Sequence, residues 1–210
     1  MNLTTLLGFA LAAATLSHAA FSADSASIAD VPIEVRQLAH AAVETRDSQS
    51  LPFAIIDKKN ASVFVYAADG SLRGASPVLL GLARGDESAS GIGERKLSEI
   101  RPDERTTPAG RFVSEPGLNL QGEDIVWVDY DAAVSMHRVR ANNKAERRLE
   151  RLASVTSEDN RISYGCINVP ASFYDSYIKP ALGDAHGVIY ILPETHPIRE
   201  SFSFMPADGG

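Results

Sequence analysis

Cysteine is almost missing from this chain: Cys166 is the only one in 210 residues. An internal disulfide is therefore excluded, and so is every CxxC metal site. HExxH spacing is absent as well, so no metal ligand set is expected. The glycines offer no dinucleotide fingerprint. Gly91-x-Gly93 lies in a polar stretch, without the full spacing or a preceding strand. No cofactor is expected on these grounds. Positive charge is also scarce, with 20 Lys and Arg against 27 Asp and Glu and a formal net charge of -7. A general nucleic-acid footprint is thereby excluded. After the N-terminal segment no apolar run is long enough to cross a bilayer. Internal repeats and low-complexity tracts are missing too. Strand-like segments do not alternate regularly with helical ones, which argues against a doubly wound parallel sheet.

What is present begins with "MNLTTLLGFALAAATLSHAAFSADS". An apolar run, Leu6 to Leu16, leads into small residues, and Ser17-His18-Ala19 fits a cleavage site. Residues 1–19 read as a signal peptide, with a retained anchor as the alternative. The expected location is outside the cytosol, in the periplasm or cell envelope. Residues 20–50 read as a lead-in followed by a helix in "VPIEVRQLAHAAVETRD", with Asp30 as cap. Ile33, Leu38, Ala41 and Ala42 are expected on its apolar face, with Val35 near the edge.

From Leu51 the pattern becomes β. Phe53 to Ile56 is an apolar run. Val63 and Val65 alternate with Phe64 and Tyr66, so both faces carry strand formers. Asp69-Gly70 marks a hairpin. The stretch from residue 83 to 110 is a long polar segment that reads as a surface loop, ending in the turn Thr106-Thr107-Pro108-Ala109-Gly110. Ile125 to Tyr130 and the alternating stretch from Val134 to Val139 read as strands. Lys144 to Ala153 reads as a short solvated helix. A further helix opens at Pro170, and Gly187 to Leu192 is a central strand. The fold class expected is mainly β with short peripheral helices. Residues 51–193 form the domain, and 194–210 a polar and aromatic tail.

The unpartnered cysteine has three possible roles: an inert buried thiol, an intermolecular disulfide, or a reactive group. Its neighbourhood favours chemistry. In Ser163-Tyr164-Gly165-Cys166, the glycine permits a tight turn that can aim the amides of Tyr164, Gly165 and Cys166 at one point. A thiol ordinarily titrates near ~8.5 and needs a base beside it to react at neutral pH. Among the histidines, His137 on or beside a strand and His186 before the last strand are the candidates, with His137 preferred. His40 and His196 lie on outlying segments.

At this point the residues resemble a known family. "SYGCINV" is similar to the Ser/Thr-x-Gly-Cys-Ile/Val core of the L,D-transpeptidase catalytic domain family. His137 falls where that family places its upstream histidine, and "TPAGRF" resembles its Thr-Pro-x-Gly-x-Phe element. The opening strands and the closing "GVIYILPE" also fit. The resemblance covers residues 51 to 193.

It implies a β-sandwich or barrel that acts on peptidoglycan stem peptides in the cell envelope. The cysteine attacks the carbonyl at the L-centre of a diamino acid and D-alanine leaves. The acyl group then passes to an amine on another stem or an envelope protein, giving a 3→3 cross-link. On this pattern Cys166 is the nucleophile and His137 the base. Ser163 orients the histidine, and Gly165 with Cys166 supplies oxyanion donors. Arg138, Arg140, Tyr164, Arg161 and Asn168 are candidates for substrate contact, the arginines because a guanidinium grips a carboxylate bidentately. Many members carry glycine, histidine and arginine where this chain has Arg138, Tyr164 and Asn168, so the pocket wall differs. Two alternatives keep the framework: a peptidoglycan carboxypeptidase or endopeptidase with the same nucleophile, and an inactive envelope-binding domain.

Overall fold

The computed structural model describes residues 31–206. The signal-peptide reading, Asp30 and His18 fall outside these residues. Two sheets dominate. The first has the strand order β3-β2-β1-β11-β5. Its strands are β1 (Phe53–Asp57), β2 (Ser62–Tyr66), β3 (Leu72–Pro77), β5 (Gly110–Val113) and β11 (Val188–Ile191). The second has the order β10-β8-β7-β6, built from β6 (Glu115–Leu118), β7 (Asp124–Asp129), β8 (Val134–Arg138) and β10 (Ile167–Val169). A short parallel pair, β4 (Leu80–Gly81) and β9 (Arg161–Ser163), lies beside them. The expected mainly β architecture with short helices is what the chain adopts.

Alternation along the strands explains the layering. Ala54, Ile56, Val63, Val65, Ile189 and Ile191 point into a core shared with Val126, Val128, Val134 and Met136 of the second sheet. The intervening residues Phe53, Ile55, Phe64, Tyr66, Val188 and Tyr190 point the other way. There they are covered by α1 (Ile33–Glu44) and by Phe202 and Met205. The sheet is thus buried on both faces, and the segments before 51 and after 193 supply its outer layer.

One expectation about α1 is corrected. Val35 is fully buried and Ile33 is exposed. Val35, Leu38, Ala39 and Ala42 stand at i, i+3, i+4 and i+7, the stripe one helix face presents, and Ile33 falls off it.

The helical region after Pro170 is an α-turn, Ala171–Phe173, followed by a wider π-type helix, Tyr174–Gly183. It buries Phe173, Tyr174, Ile178 and Leu182 in the inter-sheet core. The charged segment forms two pieces, Lys144–Glu146 and α2 (Arg148–Leu152), divided by Arg147 at φ 50°. Among the described residues no helix is long and apolar enough to cross a membrane.

Candidate active site

Among the described residues the outward face of the second sheet is only partly covered, with Ser135 and Asn168 buried on it and Trp127 and His137 half-buried. Val134 and Met136 of β8 point into the core, so Ser135 and His137 point outward. β10 runs parallel to β8 with Ile167 opposite Met136 and Asn168 opposite His137. Cys166 precedes β10 by one residue and so stands level with Ser135. Two strands separated by about 30 residues thereby bring Cys166 and His137 into one neighbourhood.

The sulfur is partly exposed. It lies 3.7 Å from Ser135 Oγ and 3.7 Å from the carbonyl oxygen of Ala133. Burial pushes the thiol pKa up. The nearby His137 ring, the charge that ring can carry, and the contacts with Ser135 outweigh burial, and the net result is a thiol held below its ordinary value. His137 Nδ1 is 2.8 Å from the Arg138 carbonyl oxygen. That bond makes Nδ1 the protonated nitrogen and leaves Nε2 to accept a proton from the thiol.

Here the expected role of Ser163 is corrected. The histidine is oriented by the Arg138 carbonyl, and Ser163 braces the turn instead. Its hydroxyl donates to the Cys166 carbonyl at 2.6 Å and accepts from the Gly165 amide at 3.1 Å. That second bond also removes the Gly165 N–H as an oxyanion donor. Among the described residues the amides of Tyr164 and Cys166 make no hydrogen bond within the chain, and they remain as donors.

Gly165 itself is required by shape. Its φ is +127°, and a Cβ there would meet the Thr106 carbonyl oxygen at 2.7 Å. Thr107, fully buried, donates its hydroxyl to the Gly165 carbonyl at 2.8 Å and accepts from the Gly81 amide at 2.9 Å. The "TPAGRF" element therefore forms the back of the cysteine turn.

Two clefts meet at His137. One, of about 240 Å³, is largely apolar and includes Leu118, Ile125, Trp127 and Ser135. The other, of about 420 Å³, is polar and includes Gln121, Asp124, Arg138 and Asn142. Arg140 borders both and bonds Gln121 and Glu123. Arg138 also lines the polar cleft, but its guanidinium is occupied by Asp124 and Asp175 and lies 4.3 Å from the centre of the Tyr174 ring. Tyr164 is half-buried beneath the Arg105 guanidinium, 3.9 Å from its ring centre.

Arg161 and Asn168 are not available to a substrate, although Asn168 shares the face of His137. Arg161 is 7% exposed and spends its guanidinium on Glu194 and the Lys58 carbonyl. Asn168 is 1% exposed. Its amide donates to the Cys166 carbonyl at 3.2 Å, and its oxygen accepts from Arg148. Both expectations of substrate contact are corrected to internal bracing. His186 faces the Ser114 carbonyl at 2.9 Å, away from the thiol.

Sequence reasoning passed over Ser135, although its position two residues before His137 on an alternating strand was a usable signal. It also passed over Ala133, Thr107 as a site residue, and Arg148, whose contact with Asn168 spans 20 residues and leaves no local pattern. Among the described residues no cluster of His, Cys, Asp and Glu could hold a metal ion.

No family model matches the sequence. No curated protein matches it either. Among solved structures it is similar to an L,D-transpeptidase from Mycobacterium smegmatis, with 19% identity and a TM-score of 0.36 over 67% of this chain and 58% of that one. It is similar also to the catalytic domain from E. faecium L,D-transpeptidase, with 17% identity and a TM-score of 0.36 over 67% of this chain and 96% of that one. The chain thus spans under two thirds of the mycobacterial protein. A superposition this loose says nothing about chemistry, which has to come from the site itself.

Proposed function

We propose that the protein is a cysteine acyl transferase of the cell envelope that acts on peptidoglycan stem peptides. The observation that carries this reading is the partly exposed Cys166 thiol beside an imidazole whose Nδ1 is fixed by the Arg138 carbonyl. A thiol depressed by a neighbouring base is the activated nucleophile that acyl transfer needs. The substrate class follows from the resemblance of the "SYGCINV" and "TPAGRF" elements, which the fold brings into one constellation through Thr107 and Gly165.

In this reading Nε2 of His137 takes the thiol proton and the sulfur attacks the carbonyl at the L-centre of the diamino acid. The Cys166 amide, with Tyr164 beside it in the turn, donates to the oxyanion. The S–C bond forms, the C–N bond to D-alanine breaks, and the imidazolium returns its proton to the leaving amine. An incoming amine then attacks the thioester, gives its proton to His137, and the sulfur leaves. The two clefts that meet at His137 support an extended donor with an apolar side and a polar side. Arg140, on their border, is taken as the candidate for a substrate carboxylate, which would have to compete with Glu123 and Gln121 for its guanidinium.

The test is mass spectrometry of the protein incubated with a tetrapeptide stem, with and without an amine acceptor. A Cys166 acyl adduct, release of D-alanine and a cross-linked product are expected. An unmodified protein and intact tetrapeptide after prolonged incubation would reject acyl transfer. Dominant hydrolysis despite excess amine would assign the protein to the carboxypeptidase class instead.

A further inference from the structure

Behind the cysteine turn lies a charged group that the proposed reaction does not use. Lys58 follows β1 and its side chain is fully buried. Its ammonium donates to the Gly85 carbonyl at 2.6 Å, to Asp86 Oδ1 at 2.6 Å and to the Thr107 carbonyl at 2.9 Å. All three N–H donors are therefore taken. Asp86 is equally committed. Its Oδ1 also accepts from the Glu194 amide at 2.8 Å, and its Oδ2 accepts from the amide and hydroxyl of Thr195. The other charges facing the pair are Glu194, 3.8 Å from the ammonium, and His196, 3.7 Å from Asp86. Arg161 and Arg84 both bind Glu194.

A buried ion pair is a poor device for stability alone, because well-packed apolar side chains of similar volume often do as well or better. What the pair does supply is direction. Lys58 holds the Thr107 carbonyl from behind. The Thr107 hydroxyl in turn holds the Gly165 carbonyl. The Thr106 carbonyl presses into the space that a side chain at Gly165 would fill. The backbone from Gly165 to Cys166 is thus fixed by a chain of contacts that ends at a buried cation 108 positions earlier in sequence.

We propose that Lys58, acting through Thr107, is a positioning residue that sets the Gly165–Cys166 backbone and so aims the sulfur at His137. This inference rests on the reading of Cys166 as the reactive group. It goes beyond that reading by adding a buried cation and a threonine hydroxyl to the machinery that aims it.

The test compares Thr107→Val, which keeps the shape and loses the hydroxyl, with Thr107→Ser, which keeps the hydroxyl, and with Lys58→Met. Each is assayed at a temperature where circular dichroism shows a fully folded protein. Two quantities are read: the pH profile of Cys166 alkylation by iodoacetamide, and kcat and KM for a tetrapeptide stem. Thr107→Val is expected to lower kcat about tenfold to a hundredfold with KM within about twofold, as for a displacement of the reacting atom by about an ångström. Its alkylation midpoint should rise. Thr107→Ser should restore both, and Lys58→Met should behave as Thr107→Val.

If Lys58→Met does not fold, the threonine pair decides. A Thr107→Val protein that melts earlier but keeps the wild-type kcat and alkylation midpoint would overturn the proposal, since Thr107 would then be structural only. Failure of the functional reading looks different. A wild-type protein that never acylates, yet has an alkylation midpoint that Thr107→Val shifts, loses the transferase assignment and keeps the positioning chain.

Discussion

The two sheets differ in what covers them. The five-stranded sheet is buried on both faces, with Ala54 and Ile56 in the inter-sheet core and Phe53 and Ile55 under α1 and the C-terminal segment. The four-stranded sheet shares that inter-sheet core, and among the described residues its other face is only partly covered, by Arg148 over Asn168 at the β10 edge. Its outward face carries Trp127, Ser135 and His137, and Cys166 stands at its edge. A face left partly open is where a half-buried histidine keeps some of its solvation, and where a peptide can reach a thiol. One sheet is therefore closed, and the other, on the proposed reading, carries the chemistry. Substitutions in the first should change stability and spare reactivity, and substitutions on the open face of the second should do the reverse.

The sharpest way to break that division is Cys166→Ala. Turnover of the tetrapeptide should fall by roughly 10⁴-fold or more, as when a catalytic nucleophile is removed, while the urea midpoint stays close to wild type. His137→Ala should lower turnover by about 10²- to 10⁴-fold, the span typical of a general base. It should also raise the alkylation midpoint of Cys166. The nearby ring and the charge it can carry, with a lesser contribution from Ser135, hold the thiol down against burial. Lowering the pKa makes thiolate available at lower pH, so losing the ring moves reactivity to higher pH. An unchanged midpoint would remove His137 from its assigned place.

The opposite arm is Ile55→Ala, in the doubly covered sheet. Ile55 is fully buried, and its truncation should cost about 2–5 kcal/mol in urea unfolding. Alkylation of Cys166 in the folded protein should keep its wild-type pH profile. A shifted profile would show that the sheets are not independent.

Acid sharpens the same contrast. Burial pushes the Asp86 carboxyl up, but its bonds from Lys58, Thr195 and the amides of Glu194 and Thr195 hold it well below the carboxylate range. A group depressed in the folded state contributes fully above its unfolded pKa, about 4. That contribution is lost as pH falls through the depressed value. The urea midpoint should therefore hold from pH 7 down to about pH 4 and fall below it, and Asp86→Asn should be unstable already at pH 7, by about 3–5 kcal/mol, because it leaves Lys58 buried without its carboxylate.

What could be seen in the sequence follows from range. β1, β2 and β11 were legible because alternation is a local signal, and Val63 to Tyr66 shows both faces within four residues. Cys166 and His137 were legible because a lone cysteine has few histidines to choose among. The outer layer was less so. Val35 and Ile33 exchange places because the helix phase is set by what packs on it, not by the strongest hydrophobe. The segment 83–110 looked like surface because it is polar, yet it delivers Asp86 and Thr107 to buried positions. A hydrogen bond between Lys58 and Asp86, 28 residues apart, has no period and no motif. For the same reason Arg161 looked like a substrate contact. In sequence, an arginine that grips a substrate carboxylate and one that grips a buried glutamate are the same letter.

Ser135→Ala is the mildest test of the open face. The hydroxyl is 3.7 Å from the sulfur and is one of the lesser influences lowering the thiol pKa, after His137. Thiol hydrogen bonds are weak, so losing one should cost about 0.5–1 kcal/mol of transition-state stabilisation, a fall of a few-fold in kcat/KM. Ser135 is buried but borders the apolar cleft, so an alanine there leaves no unpaired polar group and the urea midpoint should scarcely move. A loss of a hundredfold or more would mean that Ser135 bonds the substrate or the histidine during turnover. The open face would then hold three working side chains instead of two.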